Sequence, residues 1–223
     1  MRTANVFSSK GSLAYSEVRQ MILTGELKPG SRVSQYELAD ELDMSITPLR
    51  EAVRRLASEG LVILGTHRDV RVAGVSSKEA RELHEVRLSL EPAATGLAAE
   101  RRTEEDLERI QAAARKLVPV TPDWGEEGIV AHHAFHRAIY LASHNDSMIR
   151  MLDDLWDKSD RYRRVGLELP KGKSIRKIDH DQHHQMAELI EQGDAKAAIE
   201  VSRKHIENSL TASVTDLLDD FES

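Results

Sequence analysis

The segment from Ile129 to Asn145, IVAHHAFHRAIYLASHN, holds four of the chain's ten histidines within thirteen residues. Imidazole side chains bind transition metals, transfer protons near neutral pH, or simply occupy a helix face. His132 and His136 are four residues apart, so on a helix they project from one face, a turn apart, as two ligands of one ion do. His133 is rotated by about 100° from them and His144 lies two turns beyond. The spacing indicates one candidate ligand pair and two bystanders.

Composition limits what could complete a site around that pair. The chain has no cysteine, so a metal would depend on histidine and carboxylate ligands, and disulfides are excluded. Further along, His183 and His184 precede Gly193, and His205 follows it. The absence of cysteine also suits a reducing cytosol.

The elements that must position these histidines are helices. Helical periodicity covers most of the chain after residue 75, and capping residues such as Ser76, Thr103 and Asp194 mark helix starts. Gly193 stops one helix and Asp194 begins the next. The pattern predicts an antiparallel bundle of about six helices, at roughly 77–100, 104–117, 124–143, 146–167, 173–191 and 194–220. The predicted fold class is mainly α, with a small N-terminal domain before this bundle.

The N-terminal part predicts a winged helix-turn-helix. Helix one carries apolar residues at helical spacing from Leu13 to Leu27, and Ser34 caps a short second helix. A third helix is expected to begin with Thr47 as its cap and to end at Gly60. The stretch Leu61 to Val75 has β-branched residues around a polar turn, which is typical of a hairpin. We therefore expect domains at residues 1–75 and 76–223.

Charge is divided between these two parts. The net charge is −7, but residues 1–75 carry 10 Lys+Arg against 9 Asp+Glu, so the acidity belongs to residues 76–223. Helix three is predicted to bury Leu49 and Leu56 and to turn Arg50, Arg54 and Arg55 outward. An arginine at this place can pair bidentately with guanine in the major groove, or it can belong to a solvated surface. Charge alone leaves both readings open.

Residues 12–75 resemble the GntR family of bacterial transcriptional regulators. The matching segments are GELKPGSRV, ELADELDMS, TPLREAVRRLASEGLV and GTHRDVRVAG. By this resemblance the DNA-binding residues would be Ser45, Thr47, Arg50 and Arg54 on the recognition helix, with His67 and Arg68 at the wing tip. Three positions depart from the family pattern: Ile46 replaces a basic residue, and Asp43 and Asp69 replace glycines. Ile46 could contact a thymine methyl, and Asp43 tolerates left-handed backbone geometry.

Residues 76–210 resemble the FCD effector-binding domain of the FadR-type branch, in its six-helix, VanR-like version. The segments that carry the likeness are EVRLSLEPAATGLAAER, AFHRAIYLASHN and HHQMAELIEQGDAKAAIEVSRKHI. By the family pattern the metal ligands would be His132, His136, His183 and His205. His132 stands where relatives carry a carboxylate, and neutral imidazoles suit zinc or nickel.

Losing that carboxylate raises the net charge of the site by one, which favours an anionic effector. Arg87, from the family's Arg-x-x-x-Glu pair, is the candidate to bind its carboxylate, and an internal bridge to Glu91 is the alternative. Tyr140, Arg161, Arg163 and Asp181 are further candidates for the cavity or for contacts with the ligands.

Together these features predict a DNA-binding regulator, most simply a repressor, that binds operator DNA as a homodimer and responds to a small organic acid through a divalent metal, zinc or nickel. Two alternatives stay open: a sensor for which the ion itself is the signal, and a metalloenzyme built on the histidines. The enzyme lacks support because no H-E-x-x-H pattern occurs. The start of the chain has no apolar leader and no membrane-spanning stretch, so we expect a cytoplasmic protein without a membrane partner.

Overall fold

The computed structural model describes residues 10–65, 70–119, 125–168 and 177–209, together with positions 214 and 218. The chain divides after Val75 into two compact units, Met1–Val75 and Ser76–Ser223. Helices dominate both units, which confirms the predicted mainly α fold class.

The first unit consists of three short helices and a small antiparallel sheet. Its elements are α1 (Lys10–Leu23), β1 (Arg32–Val33), α2 (Gln35–Glu41), α3 (Ile46–Ser58), β2 (Val62–Leu64) and β3 (Val70–Val72). The strand order is β1-β3-β2. The β2–β3 pair is the predicted hairpin, whereas β1 was not predicted because two residues are too few for strand periodicity to show. His67 and Arg68 of the predicted wing tip lie outside the described residues.

One apolar cluster holds this unit together. It combines Val18 and Ile22 of α1, Leu49 and Leu56 of α3, and Val72 of β3, each no more than 2% exposed. Burying such side chains stabilises each by about 1.5–3 kcal/mol relative to leaving it in water. This cluster fixes the angle between α2 and α3 and thereby decides which residues of α3 face outward.

The start of α3 differs from the sequence prediction. Ser45, not Thr47, is the N-cap, with extended backbone angles, and the helix begins at Ile46. Pro48 is then in the first turn rather than at the first position, where its missing N–H still costs nothing because that donor has no partner within the helix. The preceding turn is made by Asp43 at φ 48°, as expected for a residue that tolerates left-handed geometry.

The second unit is a bundle around a long first helix. Its helices are α4 (Ser77–Arg101), α5 (Glu104–Ala114), α6 (Gly125–Ala142), α7 (Asp146–Glu168), α8 (Lys177–Gln192) and α9 (Ala195–Glu207). The predicted caps are present: the side chains of Ser76, Thr103 and Asp194 accept N–H groups of the first turns of α4, α5 and α9. The predicted end of the last helix is wrong, because α9 ends at Glu207 rather than near residue 220.

Helix α4 packs against α6, α7, α8 and α9 and forms the axis of the bundle. Its approach to α9 depends on Gly96, because a Cβ at this position would lie 2.6 Å from Ile199 Cδ1. Gly193, at φ 76°, closes the turn between α8 and α9 and brings these two helices alongside each other. The result is that α6, α8 and α9 present histidines to one interior point.

Candidate metal centre and DNA-contact surface

Four buried histidines meet inside the second unit. His132 and His136 come from α6, His183 from α8 and His205 from α9. One ring nitrogen of each lies within 4.8 Å of those of the other three, and every side chain is at most 5% exposed. The structure thus brings together the four residues that the family resemblance selected.

The donor set fits a divalent transition metal. With metal–nitrogen bonds of about 2.0–2.1 Å, two ligand atoms on opposite sides of one ion are at most about 4.2 Å apart. The observed limit of 4.8 Å needs only small side-chain rotations to close around an ion. The Nε2 atoms of His136 and His183 already lie 3.0 Å apart. Four neutral imidazoles are a good donor set for zinc or nickel.

The surroundings favour the neutral form of three of these imidazoles, those of His132, His136 and His183. Burial is the main reason that the pKa values of His132 and His136 lie well below the usual 6.5, and the positive charge of Arg163 lowers both further. Arg87 adds to the effect on His136. Burial and Arg163 also lower the pKa of His183 to about 3. Neutral imidazole is the form that binds a metal, so these three side chains are in the binding form at neutral pH.

These pKa shifts predict acid sensitivity of the metal-free protein. Unfolding returns each histidine to a pKa of about 6.5, so below pH 6.5 the unfolded chain binds protons that the folded chain excludes. Stability should therefore fall as the pH is lowered from about 7.5 to 5, by up to about 1.4 kcal/mol per pH unit for each histidine. Urea unfolding of chelator-treated protein at several pH values measures this slope. A flat profile over that range would contradict neutral, buried imidazoles.

A second layer of buried charge lies against the histidines. Arg87 and Glu91, both on α4, form a bridge with Nε 2.5 Å from Oε1, and neither side chain is more than 1% exposed. Tyr140 hydrogen-bonds to Glu91 and accepts the indole N–H of Trp156 at 2.6 Å. Burial and Glu91 together raise the pKa of Tyr140 well above 10. The internal bridge left open for Arg87 by the sequence is thus present.

A second buried pair comes from α7. Arg163 Nη1 lies 2.5 Å from Asp160 Oδ1, and both side chains are less than 9% exposed. The guanidinium of Arg163 is 4.5 Å from the centre of the Trp156 ring, and the ring of His136 lies 4.8 Å from the same ring. Sequence reasoning missed Trp156 and Asp160. The sequence feature that could have indicated them is their helical spacing on α7, which places Trp156 and Asp160 on the same side of the helix as Arg163.

The other candidates lie elsewhere. Arg161 is buried near Glu79 and Tyr162, and Asp181 is 63% exposed. His133 stacks on Trp156 with ring centroids 5.2 Å apart but is not part of the four-histidine cluster. His144 bonds Asp106 Oδ2 at 2.7 Å.

The remaining histidine pair, His180 and His184, also lies outside the cluster. Their Nε2 atoms are 3.2 Å apart on α8. Of the adjacent residues His183 and His184, the first is 2% exposed and belongs to the four-histidine cluster, whereas the second does not.

The outer face of α3 carries the residues predicted to contact DNA. Ser45, Thr47 and Arg54 are exposed, and Arg50 is partly exposed between them. The Ser45 hydroxyl makes no capping bond, so it is available at the helix N-terminus. Arg50 Nη2 donates to the hydroxyl of Tyr36 on α2 at 3.4 Å, and Tyr36 is 56% exposed. Tyr36 was not predicted from sequence.

Two neighbouring residues make contacts within the first unit. Arg55 binds Glu59 at 3.1 Å and lies 3.6 Å from the centre of the Tyr15 ring, so it stabilises the packing of α1 on α3. Ile46 packs against the apolar cluster of the first unit. The departure from the family at Ile46 therefore adds to the core rather than to an exposed apolar surface.

Comparison with known proteins identifies a family for each of the two units. Residues 11–72 match the family model described as bacterial regulatory proteins, gntR family, and residues 82–208 match the FCD domain. None of the helices within the described ranges combines the length and apolarity needed to cross a membrane.

Relatives are found along the whole chain. The HTH-type transcriptional regulator LutR of Bacillus subtilis (strain 168) is 31% identical over 208 residues, which span 84% of this chain and 94% of LutR. The HTH-type transcriptional repressor GlaR of Escherichia coli (strain K12) is 26% identical, over 86% of this chain and 90% of GlaR. The regulator McbR of the same strain is 32% identical over 142 residues, a match that spans 63% of this chain and 64% of McbR.

The solved structure of E. coli McbR/YncC shows the same fold, with a TM-score of 0.74 at 24% identity over 96% of this chain and 99% of that one. The matched family and these relatives are transcriptional regulators and not enzymes. An FCD match over more than half of the residues, behind a gntR-family DNA-binding domain, decides the classification. The chain belongs to the GntR family of bacterial regulatory proteins and carries an FCD domain behind its winged helix-turn-helix.

Proposed function

We propose that this regulator is a repressor that binds operator DNA as a homodimer, and that a small organic acid bound in the FCD unit through a metal ion changes its affinity for that DNA. The buried cluster of four histidines is the observation that supports effector binding through a metal ion. Relatives of the GlaR type, which is named a repressor, support the direction of regulation. Operator DNA also implies that the protein acts in the cytoplasm.

The N-terminal end of α3 is the proposed surface that contacts operator DNA. Free backbone N–H groups at a helix N-terminus bind phosphate, and the exposed hydroxyls of Ser45 and Thr47 add donors beside them. Arg50 and Arg54 follow at helical spacing on the same side and can reach base edges in the major groove. His67 and Arg68 would contact the backbone or minor groove from the wing tip. Two such units on a near-palindrome would lie a helical turn or so apart.

Arg50→Ala should weaken binding to the specific operator by about 1–3 kcal/mol, because a bidentate contact to guanine would be lost while nonspecific phosphate contacts remain. Binding is measured by fluorescence anisotropy on the protein's own promoter DNA and on scrambled DNA, over a range of salt concentrations. Arg55→Ala is the matched control, since it lies on the same helix but is held by Glu59 and Tyr15. Equal losses in the two variants would remove Arg50 from the proposed contacts.

In the FCD domain, the four imidazoles would hold zinc or nickel. The ion would supply Lewis acidity and a fixed positive charge for the carboxylate of an effector. Arg87 stays paired with Glu91 but contributes positive potential at His136, which attracts an anion to the same place. For the effector to control DNA binding, its affinity must differ between DNA-competent and incompetent states, typically by about 1–3 kcal/mol.

The combined proposal is tested on one promoter fragment. Operator binding is measured with chelator-treated protein, with zinc-loaded protein, and with zinc-loaded protein plus small organic acids. Release that requires both ion and acid supports the proposal. Release by the ion alone would establish the alternative, a metal-sensing regulator. A protein that forms no specific complex at any salt concentration would overturn the proposed DNA-binding function.

A further inference from the structure

We propose that α8 carries a second metal site, at the surface of the FCD unit, in which His180 and His184 chelate one zinc ion through their Nε2 atoms. Neither residue belongs to the four-histidine cluster, so the proposal does not depend on the proposed function. The ligands of that cluster are at most 5% exposed, whereas this pair meets solvent. The second site would therefore bind a weaker ion that exchanges readily.

The two Nε2 atoms already lie at a chelating distance. His180 and His184 are one turn apart on α8, so both rings project from the same side of the helix. Their ring centroids are 4.5 Å apart and their Nε2 atoms 3.2 Å apart. With zinc–nitrogen bonds of about 2.0–2.1 Å, the 3.2 Å separation corresponds to an N–Zn–N angle of about 100–106°, close to the tetrahedral value of about 109°. The pair can hold an ion with almost no rearrangement.

Asp181 favours the tautomer of His180 that binding requires. An Nε2 atom offers its lone pair to a metal when the ring carries its proton on Nδ1. Nδ1 of His180 lies 3.7 Å from Oδ1 of Asp181, where the carboxylate attracts that proton. A carboxylate beside the second ring nitrogen is a common partner of a metal-bound histidine, because it fixes the tautomer and makes the other nitrogen more basic.

The pair is open to an ion from solvent. The side chain of His180 is 24% exposed, and His184 is partly exposed where it lines a surface cavity between α5 and α8. Glu188 and Glu191 line the same cavity, and Arg115 is the one cation among its lining residues. The lining is therefore net negative, which attracts a divalent cation. With two protein ligands, the other coordination positions are left to water.

Equilibrium dialysis of the full-length protein against buffered zinc, with metal analysis, measures the ions bound per chain. We expect a weakly bound ion in addition to the ion of the buried cluster. His180→Gln and His184→Gln should each weaken this ion by about tenfold or more, because loss of even an outer-shell partner of a metal ligand typically costs 10–100-fold. If the two rings only share a hydrogen bond, neither variant changes the zinc bound at any concentration, and that result would overturn the proposal.

Two controls separate chelation from binding to histidines in general. His144→Gln removes a histidine that bonds Asp106 instead, and this variant should keep the weak ion. His184→Gln combined with Gln185→His keeps the number of histidines but moves one of them by about 100° around α8. Gln185 is exposed, so this change disturbs no packing. Affinity should stay below that of the unmodified protein, and a full return of the weak ion would contradict chelation by the pair.

His136→Ala distinguishes the surface pair from the buried cluster. This variant should lose the tightly bound ion and keep the weak one, whereas His184→Gln should do the reverse. Loss of both ions in His136→Ala would show that they share one site and would overturn the proposal. A protein that binds only the weak ion would instead overturn the metal-dependent part of the proposed function and leave the surface site standing.

Discussion

Glu91→Gln should lower the free energy of unfolding by about 3–5 kcal/mol, because it leaves the charge of Arg87 buried without a compensating carboxylate. Both side chains are at most 1% exposed, so water cannot replace the lost partner. Burial alone lowers the pKa of Arg87, and Glu91 outweighs that effect and raises it. A guanidinium is effectively always protonated in proteins, so the charge of Arg87 persists in the variant even without Glu91. The bond from Tyr140 to Glu91 would also be weakened.

Chemical denaturation of the metal-free protein measures this loss without interference from ligand binding. Glu85→Gln is the matched control, since it changes the same residue type on the exposed side of the same helix and should alter stability by less than about 0.5 kcal/mol. Replacing both members of the pair, by Arg87→Met with Glu91→Leu, should recover most of the loss. If Glu91→Gln costs less than about 1 kcal/mol, the bridge is not a charged buried pair.

His136→Ala should weaken metal binding by at least about 100-fold, since loss of even an outer-shell partner of a metal ligand typically costs 10–100-fold. His136 lies in the middle of the cluster: its ring is 5.0 Å from that of His183 and 5.2 Å from that of His205. Its removal takes away one donor and opens the others to water. The stabilisation of the protein by added zinc should shrink correspondingly.

The measurement combines metal analysis of the purified protein with competition against a chromogenic chelator. His184→Ala is the control, because it neighbours the proposed ligand His183 but pairs with His180 on another side of α8. The control should retain the tightly bound ion. Full retention in His136→Ala, or equal loss in His184→Ala, would contradict the proposed ligand set.

Local sequence predicted the helices of the bundle well. The starts of α4 and α5 follow from the N-caps at Ser76 and Thr103, and the break before α9 follows from Gly193 and Asp194. These signals succeed because a cap depends only on residues within one turn of it. At the start of α3 the sequence predicted Thr47 as the cap, and this was wrong, because the helix begins earlier, at Ile46, with Ser45 as its N-cap.

The sequence predicted the contacts of individual side chains less well. Periodicity grouped Arg50, Arg54 and Arg55 on the outer side of α3, and Arg55 is exposed there, but its contact with the Tyr15 ring of α1 was not predicted. Likewise, the contact of Ile46 with the apolar cluster was not predicted, and its suggested contact with a thymine methyl stays a prediction. Both outcomes depend on how α1, α2 and α3 pack together, which a pattern within one helix does not contain.

The sequence by itself determined that His132 and His136 share one helix face, because that follows from the 3.6-residue repeat, and resemblance to the FCD family selected His183 and His205 as their partners. Only the tertiary structure decided which charges lie around them. The packing of α4, α6 and α7 brings Trp156 close to two of the histidines and to two arginines, and it supplies each arginine with its own carboxylate. Burial and Coulomb interactions depend on distances between helices, so the electrostatic character of the site arises from the packing of the bundle.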